Sequence, residues 1–152
     1  MMKTRSGHAT LLRVSLVLTV ALATITHLYE YRVGVQALVV GAVLLVLLTS
    51  LDLAYRHTGR RGLLIPYGLL AAFVILGFGV ANGLWNHVVK LSLFHLHNGQ
   101  LPSLLGGLFP PATSAALEAV GALTFVTALL AAHHLIGLVR GAGEDANHEQ
   151  FA

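Results

Sequence analysis

Few side chains in this chain can do chemistry, and their spacing suits helices that would gather them. His27 and Glu30 stand three residues apart, so on a helix they share a face. His87 continues a stripe with Gly79 and Gly83, which sets an imidazole on a face of small residues. Glu118 shares its own stripe with Ser114, Gly121 and Ala122. Small residues at four-residue spacing let neighbouring helices approach closely, so both polar groups are expected to point between helices. A His-x-x-Glu on one helix, a histidine on a second and a glutamate on a third are the ingredients of a bundle metal site. Imidazole suits Zn, Cu or Fe, and carboxylates complete a borderline ligand set. His27, Glu30, His87 and Glu118 are therefore the expected ligands of a divalent transition metal.

By residue count His27 and Glu118 reach similar depth, and a ring nitrogen of one is expected within about 6 Å of a carboxylate oxygen of the other, close enough to couple their charges. Gln36, Asn82, Asn86 and Lys90 are the expected polar lining of the same pocket. Asn82, Asn86 and Lys90 form a stripe of their own, read as turned toward water or the following loop. His95-x-His97 is read as a pair of interfacial histidines.

His133-His134 raises a second chemistry. A haem b held by two histidines across a membrane bundle needs two facing imidazoles at one depth. The sequence offers His57 and His133-His134 at one end and His27 with His87 at the other.

Other chemistries are excluded. Cysteine is absent, which removes disulfides, thiolate metal sites and thiol catalysis. Gly77-x-Gly79 with Gly83 lacks the preceding strand a nucleotide loop requires. No Ser-His-Asp set, P-loop or zinc-protease motif occurs. The expectation is a non-enzymatic protein with a polar, metal-binding pocket. The alternatives are a haem-carrying electron-transfer subunit, or an accessory subunit whose polar residues only glue helices or meet a partner. Partners would be the lipid bilayer, other membrane subunits or further copies of the chain.

The elements that must position these residues follow from composition. Only 10% of the 152 residues are charged, against about 25% in soluble domains, and 56% are hydrophobic. The few charges fall between long apolar runs, which fits a single all-α domain spanning a membrane. The basic pI of 9.7 would suggest nucleic acid, but the basic residues sit at helix ends, where membrane topology uses them. Four helices are predicted, at about 13–31, 35–55, 63–97 with an interfacial extension, and 113–139. Short turns at 30–34 and 56–62 make the neighbours antiparallel, giving an up-down-up-down four-helix bundle. Pro66 suits a helix first turn, Pro102 and Pro110-Pro111 mark a loop over 98–111, and Thr113 or Ser114 is the expected N-cap of the last helix. The tail from Arg140 is expected to fray.

Ala21-Leu-Ala23 resembles a signal-peptide cleavage site, but the apolar run continues through Thr24-Ile25-Thr26 with no polar region before the cut. Lys3, Arg5, Arg13, Arg56, Arg60, Arg61 and Arg140 fall on one side of the expected bundle, and only Arg32 and Lys90 on the other. The positive-inside rule then puts both termini in the cytoplasm of a multi-pass inner-membrane protein.

Overall fold

Apolar runs separated by short glycine-bearing turns leave this backbone little alternative to helix. In lipid, only a helix or a closed barrel satisfies its own N–H and C=O groups. The computed structural model describes residues 2–30, 34–96 and 115–150, with side chains placed for 7–29, 34–60, 62–96 and 115–141. The elements in order are α1 (Met2–Glu30), α2 (Gly34–Thr58), a 3-10 turn (Arg61–Leu63), α3 (Leu64–Val74), a π-wound segment (Ile75–Val89), α4 (Lys90–Leu96) and α5 (Ala115–Gln150). The pieces from α3 to α4 form one continuous third rod. The expected all-α four-helix bundle is what the chain forms, and the described residues contain no strand. Four stretches are long and apolar enough to cross a membrane, Gly7–Tyr29, Gly34–Thr58, Leu64–Leu96 and Ala115–Gly141, which fits a small polytopic membrane protein.

Two helix bounds differ from expectation. α1 begins at Met2, well before residue 13, and the backbone of α5 stays helical to Gln150, beyond Val139. Leaving lipid changes which side chains are favourable, but it does not break a helix, and neither end carries a proline. The loop expected at 98–111, His97 and the N-cap at 113–114 lie outside the described residues.

At the basic end, Gly59 closes α2. Its φ of 64° is open to glycine at little cost, and its N–H reaches the Tyr55 carbonyl at 2.8 Å. The chain then turns directly into α3, with Pro66 in the first turn, where a missing N–H leaves no bond unmade.

The helices alternate in direction, as contacts at successive depths show. Arg13 of α1 meets Asp52 near the end of α2. Thr26 near the end of α1 meets Asn82 in the π segment. His8 at the start of α1 meets His134 toward the end of α5. α1 packs most extensively on α5, α5 on the π segment, and α2 joins the bundle through α1 and α3. The core is Leu12, Leu16 and Val20 of α1 with Leu48 of α2, Tyr67, Ala71 and Val74 of α3, and Ala128, Ala131 and Leu138 of α5. Large apolar side chains such as Val39, Val43 and Val46 of α2 and Leu69, Phe73 and Leu76 of the third rod stay outside. That distribution fits contact with lipid.

Lipid tails are as apolar as leucine, so helix association in a membrane rests on close packing and interhelical hydrogen bonds. Both are present. Gly79 lies so close to Ala128 that an added Cβ would collide with it, and a Cβ on Gly83 would lie 2.7 Å from the Phe125 backbone nitrogen. The expected packing face of Gly79 and Gly83 is therefore the contact with α5. Between α1 and α5, the Thr19 hydroxyl meets that of Thr127 at 2.9 Å, with Thr19 fully buried.

The π winding has a visible consequence for packing. A π-helix bonds each N–H to the carbonyl five residues back, and the segment closes in that way, Lys90 N–H to Trp85 C=O. Its buried residues recur in strict four-residue steps, Ile75, Gly79, Gly83, His87 and Asn82, Asn86, Lys90. At 3.6 residues per turn each such step would drift about 40° around an α-helix. The wider winding turns that drift back, so both rows stay against α1 and α5.

Candidate functional site

Glu118 lies in the first turn of α5, where exposed backbone N–H groups and the helix dipole favour a negative charge. The residue is only 8% exposed. Across from it, the π segment presents His87, whose side chain is fully buried, and Nδ1 stands 3.1 Å from Glu118 Oε2. A carboxylate can only accept, so Nδ1–H donates.

The seat of the histidine is a glycine. An added Cβ at Gly121 would run into the His87 ring itself. Gly121 follows Glu118 by three residues, so one face of α5 supplies both the carboxylate and the gap for the ring that meets it.

A buried amide row continues along the π segment. Asn86 Nδ2 donates to Asn82 Oδ1 at 3.3 Å, and Asn82 Nδ2 reaches Thr26 Oγ1 on α1 at 3.4 Å. The Thr26 hydroxyl in turn donates to the Ala23 carbonyl at 2.9 Å. Lys90 ends the row at 2% exposure. This corrects the expectation that Asn82, Asn86 and Lys90 turn toward water or the loop. The π winding carries them into the bundle beside His87.

His27 and Gln36 fall elsewhere. His27 Nδ1 donates to the Ala23 carbonyl at 2.8 Å, and its ring meets Phe78 edge-on with centroids 6.0 Å apart. Both His27 and Gln36 line a cleft between α1 and α2. The Glu30 side chain lies outside the described residues. No group of three or more His, Cys, Asp or Glu gathers closely enough to hold a metal among the described residues, so His27, His87 and Glu118 do not form the common centre expected of them. Of the four anticipated ligands, the structure brings His87 and Glu118 together.

The opposite, basic end holds two further clusters. Asp52 is 1% exposed and lies 3.0 Å from Arg56 Nε and 3.5 Å from Arg13 Nη1, and both arginine side chains are about one-third exposed. His8, His133 and His134 cluster across α1 and α5 with their rings tilted or edge-on, and His8 Nδ1 lies 3.1 Å from His134 Nδ1. His8 is a residue that the sequence reading missed, because it started the first helix near residue 13. The row Ala9, Leu12, Leu16, Val20 carries the buried face back to the N-terminus and was the available signal. His8 and His134 touch each other directly, whereas the two axial histidines of a haem stand apart on opposite sides of the porphyrin.

No protein-family model, curated protein or solved structure matches this chain.

Proposed function

We propose that the chain is a small multi-pass, non-enzymatic membrane protein whose polar site holds one cation between His87 and Glu118, and that this cation is a proton. The carrying observation is the 3.1 Å contact between two side chains withdrawn from solvent. An ionisable residue within a membrane span is costly and is a functional-site hypothesis by default. A proton shared with an imidazole offsets that cost, whereas a divalent metal in the same place would need further ligands. The asymmetry of lysines and arginines supports an orientation with the basic end in the cytoplasm, which puts the His87–Glu118 site near the outer face of the cell membrane.

The test is infrared difference spectroscopy on the purified protein in lipid nanodiscs, titrated across pH, together with metal analysis and a visible spectrum. The expected result is a titrating carboxyl band that Glu118→Gln removes and His87→Ala shifts. No band sensitive to Glu118→Gln overturns the proton reading. Stoichiometric metal lost in both variants would replace the proton with a metal, and a Soret band would restore haem. If none of these signals is found, the accessory-subunit reading takes over. Reporter fusions after Arg61 and Arg140 should read cytoplasmic, and an external signal after Arg61 overturns the orientation.

A further inference from the structure

The cleft between α1 and α2 is separate from the His87–Glu118 pair. It measures about 230 Å³ and is lined by Ala23, Thr24, His27, Gln36, Ala37, Val40, Gly41 and Phe78. Its existence is a matter of side-chain size. At its closed end Gly41 packs directly on Thr24, so the two helices touch there. On the side of that contact nearer the 31–33 connection the α2 wall is Ala37, whose methyl group leaves the space beside His27 open.

The lining is graded. Gln36 and His27 bring polar groups toward the end of the span, while Ala37, Val40 and Gly41 continue inward as apolar wall. Phe78 stands edge-on to the His27 ring, and the His27 Nδ1–Ala23 bond holds that ring in place. The cleft is thus polar toward the membrane surface, apolar inside, and flanked by two flat rings.

We propose that this cleft binds the oxygenated six-membered ring of a membrane-soluble amphiphile, the quinone or quinol class, with its alkyl tail continuing into lipid along α2. Size supports a ring: an apolar cavity of about 150 Å³ takes a benzene, and 230 Å³ takes a ring with substituents. Polarity supports oxygens on that ring, because the Gln36 amide both donates and accepts hydrogen bonds. The flat walls favour an aromatic or quinonoid plane over a flexible chain, since ring pairs gain from offset or edge-on contact. The inference concerns binding alone and does not depend on the proton site.

The test uses the full chain in detergent, with a decyl-substituted benzoquinone as probe and decanol as competitor, read by titration calorimetry. Saturable binding of about one probe per chain is expected. Ala37→Leu fills the cleft and should lower affinity at least about 10-fold. Gln36→Leu, which leaves packing intact at an exposed position, should lower it by up to about 10-fold through one lost hydrogen bond. Circular dichroism and elution volume establish that both variants fold, and Gln36→Leu keeps the proposal testable should Ala37→Leu fail. Decanol should not compete at equal concentration. If it displaces the probe at equal concentration, the cleft is an acyl-chain groove and the proposal fails. Wild-type affinity in both variants equally overturns it.

Discussion

The two ends of the bundle bury charge in different ways. At the basic end Asp52 is itself buried, but its partners Arg13 and Arg56 stay about one-third exposed, so the cluster keeps its link to water. At the other end His87 is completely enclosed and Glu118 nearly so. The first arrangement resembles a clamp. A carboxylate ties α1 to α2, and because its countercharges stay partly hydrated only the Asp52 side of the contact is fully desolvated. In the second, both partners have left water, and their contact must offset that loss. Withdrawal from solvent on both sides separates a candidate site from a fastening, and a count of charged residues alone would have ranked the ends the other way.

The comparison can be broken most directly by removing each carboxylate. Glu118→Ala removes the carboxylate from an enclosed imidazole and should cost about 3–5 kcal/mol. Asp52→Ala leaves two guanidinium groups that can turn to water and should cost about 1.5–3 kcal/mol, the value of a charge-assisted hydrogen bond. Denaturant titration in mixed micelles measures both, and equal losses would erase the distinction. A smaller effect sharpens the geometry. Gly121→Ala pushes a methyl group into the His87 ring and should cost about 1–3 kcal/mol by overpacking. It should also shift the His87 ring resonances in NMR, whereas Gly137→Ala, under the partly exposed His8, should leave them unmoved. The smallest effect is that of salt. Raising ionic strength from 0.1 to 1 M should weaken the contribution of Asp52 and leave that of Glu118 unchanged, because screening acts on charges in contact with water. Equal salt sensitivity would mean that His87 and Glu118 are hydrated after all.

Much of the architecture was legible in the sequence because lipid imposes it. Apolar runs of membrane-spanning length, the first three parted by turns too short for anything but antiparallel neighbours, allow few other folds. The packing face of Gly79 and Gly83 was legible for the same reason, since only small residues permit that approach to Phe125 and Gly121. The site was readable in part. Glu118 and His87 stood out as polar groups on small-residue stripes, but sequence spacing assigns a face and a depth without choosing between partners. It therefore gave Glu118 both His27 and His87, and the structure chose His87. The rows Gly79–Gly83–His87 and Asn82–Asn86–Lys90 were seen, but four-residue steps are equally at home on an α-helix, as Leu44, Leu48 and Asp52 of α2 show, so nothing in them announced the wider winding that carries both rows into the bundle. The cleft was invisible, because it depends on which residues of α1, α2 and the third rod come together, and no pattern within a single helix records that.

The π-wound segment also changes what an insertion or deletion does to this chain. In α5, removing one residue swings everything beyond the cut by about 100° about the axis and would turn a polar face toward lipid. Between Ile75 and Val89 the helix carries spare length, a fuller coil than the same chain needs. Losing a residue there can be absorbed by tightening one turn to α, with α3 and α4 keeping their bearings on either side. The stretch that holds His87 is thereby the part of the third rod best able to take up a change of register, like slack left in a rope between two knots.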